Sequence, residues 1–265
     1  MRRVALNPVA ATSTAVLAGG WFAITADAQR VQVSPQMSTA TDELDPFEQR
    51  VRDYLLKNPE VIMDALQLLQ QRQRAAEAEG LRRIIAERNE EILNDPASPV
   101  GGNVAGDVTL VEFFDYNCPY CRRVTPILGE LEAADSDLRL VYKEFPILGP
   151  ASEFAARAAL ASQQQGKYVP FHNALMRATD QVTEQIVLEI ARQVGLDTQQ
   201  LRADMRDPAI EDAIARNLQL ANAPGITGTS SFIIGEEVVP GAVDLRTLQS
   251  LIARARRVQE PGAPQ

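Results

Sequence analysis

Two cysteines set the strongest constraint on this chain. Cys118 and Cys121 are the only cysteines in 265 residues, and they stand three positions apart. A pair so close in sequence closes only a very short loop, so it cannot link distant segments. The residues just before it, Val108–Phe114, are mostly β-branched and aromatic, which predicts a buried strand. Pro119 suits the first turn of a helix. The pattern predicts a strand, a short loop and a helix, with a dithiol at the helix N-terminus that can become a disulfide.

The two sulfurs of this pair are expected to differ in role. Unpaired N–H groups and a partial positive charge at a helix N-terminus favour a thiolate, so Cys118 is the expected attacking sulfur. Cys121 lies one turn into the helix and is expected to resolve the mixed disulfide. Half of a zinc site and a pair of inert core residues are the alternatives. Because His172 is the only histidine, four Cys or His ligands for zinc cannot be assembled within one chain.

Residues 113–121 read Phe-Phe-Asp-Tyr-Asn-Cys-Pro-Tyr-Cys and resemble the active-site motif of the DsbA family of bacterial thiol–disulfide oxidoreductases. That family has a thioredoxin fold, and the resemblance favours the branch of ScsC and Com1-like proteins, which carry a helical N-terminal extension. It covers roughly residues 45–257 and includes residues 95–102, 143–146 and 225–229. It implies disulfide exchange with protein substrates, an unidentified redox partner and no cofactor.

Glu112, on the strand face opposite to Val111 and Phe113, matches the buried acid of thioredoxin-like proteins. The resemblance implies that it accepts a proton from the resolving thiol of Cys121. The alternative is a carboxylate exposed at a sheet edge. Lys143, in a second predicted strand at residues 138–145, is a candidate charge partner for Glu112.

The resemblance also implies a loop that receives the substrate, formed by Pro119, Tyr120, Thr229 and Ser230. Ser230 stands where the family has a cis-proline. A cis bond before a residue other than proline costs about 2.5–4 kcal/mol, so the Thr229–Ser230 bond is expected to be either strained cis or relaxed trans. The Ser230 hydroxyl is expected to lie near Cys118 and to hydrogen-bond to its thiolate, and the looser loop to hold substrate less well. Since the proline is thought to keep metals off the cysteines, metal capture becomes more plausible without it.

Residues 1–28 have the pattern of a secretory signal peptide. Arg2 and Arg3 precede an apolar run, and Ala26-Asp27-Ala28 resembles a cleavage site. An uncleaved membrane anchor is the alternative. Export to the periplasm suits the cysteine pair, because disulfides persist in oxidising compartments. Residues 29–44, rich in Ser, Thr and Gln, are expected to form a flexible leader.

Residues 45–95 predict a helical extension. Pro46 marks a helix start, and Asn58 and Pro59 are expected to cap and begin a second helix. If continuous to Asn94, that helix would have a candidate hinge at Gly80. Apolar residues recur at helical spacing through both helices. Such a stripe favours homo-oligomerisation through residues 45–94, whereas the alternative is that residues 55–69 fold back onto the chain's own domain.

Residues 96–258 are predicted to form the DsbA-like thioredoxin domain, with a helical insertion at about residues 150–222 and a tail at residues 259–265. Residues 94–107 are predicted to be a linker, and His172 is predicted to be structural. The fold class is therefore α/β, a thioredoxin fold with an inserted helical subdomain and an α-helical N-terminal extension. The formal net charge of −9 argues against a nucleic-acid partner.

The predicted function is that of an exported thiol–disulfide oxidoreductase or isomerase acting through Cys118 and Cys121. Two alternatives remain at this point. The cysteine pair could bind copper or zinc, or the chain could be a structural surface protein with a vestigial site.

Overall fold

The computed structural model describes residues 45–259, apart from residues 224, 227 and 242 and the side chain of residue 259. The predicted signal peptide, leader and most of the predicted tail lie outside these residues. The described chain divides into two units, residues 45–58 and residues 59–259. None of the helices described is long and apolar enough to cross a membrane.

The first unit contains one helix, α1 (Pro46–Lys57). Asp45 caps its N-terminus by accepting hydrogen bonds from the backbone N–H groups of Phe47 and Glu48, and the Glu48 carboxylate accepts from the backbone N–H of Asp45. This reciprocal arrangement satisfies donors that every helix start leaves unpaired. Asn58 ends α1, with its side chain donating to the Tyr54 carbonyl, and so does not cap the second helix as predicted.

The second unit begins with α2 (Glu60–Glu87) and α3 (Asn89–Leu93). The sequence left open one continuous helix as far as Asn94. In the structure that helix ends at Arg88, where the backbone leaves the helical region. Gly80, the predicted hinge, lies inside the unbroken part of α2. The side chain of Ile85 near the end of α2 and that of Ile92 in α3 are buried.

Five strands form one sheet in the order β1-β3-β2-β4-β5. Their bounds are β1 Val100–Gly102, β2 Val108–Phe114, β3 Leu138–Glu144, β4 Ser231–Ile234 and β5 Glu237–Pro240. β2 runs parallel to β3, and the other three neighbouring pairs are antiparallel. The prediction that residues 94–107 are a linker is wrong in part, because β1 lies within them and pairs with β3.

Helix α4 (Pro119–Ala134) connects β2 to β3, and a series of helices lies between β3 and β4. These are α5 Pro150–Ala161, α6 Tyr168–Met176, α7 Glu184–Gln193, α8 Thr198–Asp204 and α9 Pro208–Asn222, with a 3-10 turn at Ser162–Gln165. The last helix is α10 (Leu245–Gln259), which includes the first residue of the predicted tail. The predicted α/β class with a helical insertion is confirmed; α8 was not predicted.

The sheet is covered on both faces. One face carries Leu110, Phe114 and Phe232, which pack with apolar residues of α4, the inserted helices and α10. The other carries Val111 and Phe113, which pack with Ile85, Ile92 and the end of α9. β2 is a central strand, and its side chains point alternately to these two buried faces. The loop that carries the cysteines therefore starts from a strand that is buried on both sides.

Lys143 is fully buried on the second of these faces. Its Nζ donates to the Glu91 carbonyl at 2.7 Å and to the Ser98 hydroxyl at 2.7 Å. The prediction that it pairs with Glu112 is wrong because Lys143 lies beside Phe113 in the sheet, whereas Glu112 lies beside Tyr142. Burial lowers the pKa of Lys143 to about 8. Its hydrogen bonds attach α3 and the segment before β1 to the sheet.

Candidate active site

The cysteine pair occupies the N-terminus of α4, where sequence reasoning placed it. Cys118 is the N-cap residue and Pro119 the first residue of the helix. Cys121 lies in the first turn, next to Cys118, and both are free thiols. The exposed fraction is 3% for Cys118 and 0% for Cys121, so only Cys118 reaches the surface.

The loop that precedes Cys118 is held by the buried carboxylate of Asp115. Its Oδ1 accepts from the Asn117 backbone N–H at 2.7 Å and from the Ser152 hydroxyl at 2.7 Å, and its Oδ2 accepts from the Leu148 N–H at 2.9 Å. The Cys118 N–H donates to the Asp115 carbonyl at 3.0 Å. Sequence reasoning assigned no role to Asp115, although an Asp two residues before an Asn is a recognisable turn signal.

Arg122 secures the other side of the same loop. Its Nε donates to the Tyr116 carbonyl at 2.8 Å and its Nη1 to the Ala178 carbonyl at 3.1 Å. The Asn117 side chain donates to the Val182 carbonyl and accepts from the Val182 N–H. The loop is therefore bound to the inserted helical region by side chains that sequence reasoning also missed.

The loop before β4 approaches the cysteines from the opposite side. The Cys118 thiol donates to the Thr229 carbonyl, with 3.4 Å between Sγ and the oxygen. The Thr229–Ser230 peptide bond is cis, which answers the question left open by the sequence. Thr229 and Ser230, two of the predicted substrate-binding residues, thus lie beside the reactive pair.

The other two predicted substrate-binding residues form the start of α4. Pro119 is exposed, and Tyr120 has an exposed fraction of 53%. The Arg123 guanidinium lies 4.4 Å from the centre of the Tyr120 ring, a cation–π contact. The pair of residues between the cysteines therefore presents a largely apolar surface beside Cys118.

Glu112 is buried in the central strand, so the alternative of an exposed edge position is wrong. Burial raises its pKa to about 8, and a hydrogen bond from Ser230 acts in the opposite direction. The Oε2 atom has no hydrogen-bond partner among the described residues. Glu112 therefore holds a proton more tightly than an ordinary carboxyl and has one oxygen free to exchange it.

Ser230 does not make the contact that its position suggested. Its hydroxyl donates to Glu112 Oε1 at 3.2 Å, not to the sulfur of Cys118. The predicted hydrogen bond to the Cys118 thiolate is therefore wrong in this structure. The reason is that the backbone carbonyl of Thr229 already faces Cys118, while the Ser230 side chain turns inward.

The charge of Glu112 also acts on the thiol of Cys121. Burial raises the pKa of its thiol well above the ordinary value, and the negative charge of Glu112 raises it further. A thiol in such a place needs a nearby proton acceptor before it can attack.

His172 lies in a buried aromatic cluster and not at the cysteines. Its Nδ1 is 3.2 Å from the Tyr116 hydroxyl, and burial lowers its pKa to about 3. The hydroxyls of Tyr116 and Tyr168 both donate to Glu144 Oε1, at 2.9 Å and 2.7 Å. This geometry agrees with the structural role predicted for His172.

No group of three or more His, Cys, Asp or Glu side chains suited to a metal ion occurs within residues 45–259 as described. Cys118 and Cys121 bring two adjacent thiols together, and thiolates are soft metal ligands.

We expect iodoacetamide to modify Cys118 of the reduced protein first, at least about tenfold faster than Cys121 near neutral pH. The reason is that Cys121 is fully buried and its pKa is raised, and each unit of pKa lowers the thiolate fraction about tenfold. Mass spectrometry of the two cysteine peptides measures both rates. The same labelling in guanidinium chloride is the control, where the rates should converge. Faster labelling of Cys121 in the folded protein would contradict the assignment.

We also expect the contribution of Glu112 to the free energy of unfolding to fall as pH rises from about 5 to 8. The unfolded Glu112 ionises near 4.5, whereas the folded one keeps its proton up to about pH 8, so stability is lost as pH rises towards that value. The limiting slope is about 1.4 kcal/mol per pH unit. Urea denaturation of the wild type and of Glu112→Gln across this range measures it, because glutamine does not titrate. Parallel profiles for the two proteins would show that Glu112 titrates normally.

Comparison with known proteins agrees with this geometry. Residues 109–253 match the family model of the DSBA-like thioredoxin domain, and residues 45–76 match that of the copper resistance protein ScsC N-terminal domain. A thioredoxin-like oxidoreductase from Silicibacter pomeroyi is 53% identical, with 63% of this chain and 97% of that one covered and a TM-score of 0.63. A periplasmic thioredoxin-like protein from Salmonella enterica serovar Typhimurium is 33% identical, with 63% and 94% covered and a TM-score of 0.59.

A curated relative is much longer. The Na(+)/H(+) antiporter NhaA of Herminiimonas arsenicoxydans is 29% identical over 171 residues, which cover 63% of this chain and 27% of that protein. This chain thus spans about a quarter of the length of the curated relatives it matches. The match to the DSBA-like model extends over more than half of the chain and contains both cysteines, strands β3, β4 and β5, and all of β2 except its first residue. The chain therefore belongs to the DsbA family of thioredoxin-fold thiol–disulfide oxidoreductases.

Proposed function

We propose that this protein exchanges disulfides with exported protein substrates through Cys118 and Cys121. The observation that carries the proposal is the placement of the two thiols at the N-terminus of α4, with one sulfur at the surface beside the Thr229 carbonyl and the other buried where the charge of Glu112 acts on it. Two thiols so different in access and environment suit sequential attack and resolution.

In the reductive direction, the Cys118 thiolate attacks one sulfur of a substrate disulfide, and the other substrate sulfur leaves as a thiolate. Glu112, as carboxylate, then takes the proton of the Cys121 thiol. The resulting thiolate attacks the Cys118 sulfur and releases the second substrate sulfur. The substrate gains two electrons and two protons, and the protein ends as a Cys118–Cys121 disulfide. Oxidation of a substrate dithiol is the same sequence in reverse, and a partner of opposite redox state recycles the pair.

The proposed substrate-binding loop consists of Pro119, Tyr120, Thr229 and Ser230. In the dithiol form the Thr229 carbonyl accepts a hydrogen bond from the Cys118 thiol. When Cys118 is a thiolate or part of a mixed disulfide, that donor is lost and the carbonyl becomes available to a backbone N–H of the substrate. The exposed ring of Tyr120 provides apolar contact beside it.

Reduction of insulin disulfides tests the proposal, with the release of thiols as the measurement. We expect Cys118→Ser to lower the rate to that of the uncatalysed reaction. We expect Cys121→Ser to accumulate a mixed disulfide at Cys118, detected by mass spectrometry, because no second thiol resolves it. Arg74→Gln, a substitution in the exposed part of α2, is the control and should retain the wild-type rate. Full activity in Cys118→Ser would contradict the proposed function.

We propose the periplasm as the site of action. The signal pattern of residues 1–28 supports this, and so does the similarity to a periplasmic thioredoxin-like protein. An oxidising compartment is also where a reversible cysteine pair meets substrates with disulfides.

Copper binding is a second candidate function. It is favoured by the match of residues 45–76 to a domain of a copper resistance protein and by two adjacent thiols, which are ligands that Cu(I) prefers. Copper binding is measured for the wild type, Cys118→Ser and Cys121→Ser. If the wild type binds copper, each variant does not, and no protein reduces insulin, the result favours this candidate over the first.

We propose further that residues 45–94 mediate homo-oligomerisation. Large apolar side chains of α2 are about half exposed, among them Ile62, Met63, Leu66 and Leu69. Such a stripe on a helix commonly packs against the same stripe of another copy. The match of residues 45–76 to a separate N-terminal family model supports a distinct role for this segment.

We expect Leu66→Glu combined with Leu69→Glu to convert the oligomer to a monomer, because paired copies would bury like charges in an apolar contact. Light scattering of the mature protein measures the mass. Gln67→Glu combined with Gln71→Glu adds the same charge to a more polar part of α2 and should leave the oligomer intact. A wild-type protein with the mass of one chain would overturn the proposal.

A further inference from the structure

Ser230 makes a side-chain contact that a proline at this position could not make. Its exposed fraction is 0%, and its hydroxyl donates to Glu112 Oε1 at 3.2 Å. The second oxygen of the same carboxyl, Oε2, is buried and has no partner among the described residues. One oxygen of Glu112 is therefore held and the other is free.

We propose that Ser230 is a positioning residue for Glu112: its hydroxyl holds Oε1 and favours the carboxylate, so that Oε2 can take the proton of the Cys121 thiol. This inference rests on the proposed function, since it concerns the resolving step of disulfide exchange. It adds a third side chain to the pair formed by the acid and the buried thiol.

The backbone fixes both partners of this hydrogen bond. Glu112 lies in the central strand between Tyr142 of β3 and Phe232 of β4. Ser230 immediately precedes β4, and its carbonyl accepts from the Gly241 backbone N–H at 2.7 Å. Because the two backbones are tied to the same sheet, little conformational freedom is lost when the hydroxyl meets the carboxyl.

The hydroxyl acts against the effect of burial. Burial favours the protonated form of Glu112, whereas a donated hydrogen bond is stronger to a carboxylate than to a neutral acid. Among the described titratable groups on the same side of the sheet, Cys121 of α4 and Tyr142 and Glu144 of β3 interact electrostatically with Glu112, and each favours a neutral Glu112 when it is itself negatively charged.

The basic side chains near this part of the sheet are paired with other groups, are exposed, or lie on the opposite face. Of the four arginines of α10, which packs on the same face, Arg254 pairs with Glu237 and Arg256 with Asp107 and Asp135. The other two, Arg246 and Arg257, are exposed. Lys143 lies on the opposite face of the sheet. Among the described residues, the side chain that donates to Glu112 is that of Ser230. It is therefore the group placed to offset burial and keep the carboxylate available.

Holding Oε1 affects the transfer of the Cys121 proton to Glu112. In the resolving step the proton leaves Cys121 Sγ for Glu112 Oε2, the Cys121 thiolate attacks Cys118 Sγ, and the substrate sulfur departs with the electron pair of the broken S–S bond. Without the Ser230 hydroxyl, Glu112 holds its own proton to higher pH and cannot accept another. Resolution then requires a higher pH.

The direct test is the titration of Glu112 in the reduced protein, followed by carbon-13 NMR of the Glu side-chain carboxyl carbons. Glu112→Gln identifies the signal by its loss. We expect Ser230→Ala to raise the midpoint by about one pH unit, which lowers the ionised fraction below the midpoint about tenfold. Ser230→Thr keeps the hydroxyl and should restore the wild-type midpoint. Ser231→Ala is the matched control, since the neighbouring Ser231 hydroxyl donates to the Gly228 carbonyl.

A second measurement connects the titration to the chemistry. A mixed disulfide of glutathione with Cys118 is preformed, and its resolution by Cys121 is followed from pH 6 to 9. We expect the profile of Ser230→Ala to move to higher pH by the same amount as its carboxyl midpoint, with Ser231→Ala matching the wild type. If Ser230→Ala does not fold, Ser230→Pro provides the variant without a hydroxyl. Proline lacks a backbone N–H, and among the described residues the backbone N–H of Ser230 donates no hydrogen bond that would be lost.

Coincident midpoints of the wild type and the variants without the hydroxyl would overturn the inference, and so would an equal shift in Ser231→Ala. A shifted midpoint with an unchanged resolution profile would also overturn it, while leaving the proposed function intact. The carboxyl titration needs no substrate, so a protein that fails to reduce insulin but shows the expected midpoints would contradict the proposed function alone.

Discussion

The position of the two sulfurs depends on one buried carboxylate, that of Asp115. It accepts hydrogen bonds from the cysteine loop itself, from Ser152 at the start of α5 and from Leu148 in the segment after β3. A buried polar group is tolerated when its oxygens accept hydrogen bonds in this way. Because the three donors come from three parts of the chain, the loop that ends in Cys118 can adopt its position only when the helical insertion is in place. The insertion is thus part of the support of the reactive pair.

The two faces of the sheet differ in the polar groups that they bury. The face that carries the cysteines also buries Glu112, Glu144 and His172, and each of these is driven by burial towards its neutral form. The opposite face buries Lys143, whose amine is satisfied by a carbonyl and a hydroxyl. Glu112 is therefore separated from the amine of Lys143 by the thickness of the sheet. This separation leaves Glu112 without a cation that would hold it permanently ionised.

Much of this arrangement could be predicted from the sequence, and the exceptions have physical reasons. The buried strand Val108–Phe114 and the helix after Pro119 follow from side-chain type and from the position of proline. Strand β1 escaped prediction because two of its three residues are glycine, which carries no strand signal. The alternation of side chains could not assign Lys143 to a face, because that depends on the register of β3 against β2. The direction of the Ser230 hydroxyl depends on a backbone conformation that residue types do not specify.

The manner in which α2 is attached affects the size of molecule that the site can receive. The helix contacts the sheet near Ile85, and its exposed apolar residues lie around Leu66. At 1.5 Å per residue the two points are about 28 Å apart along the helix. A compact domain of 100 residues has a radius of gyration of about 13 Å. Copies joined near Leu66 would each hold their site about this far from the joint, and a domain of that radius of gyration is about 34 Å across, so that the clearance would admit extended chains more readily than folded domains.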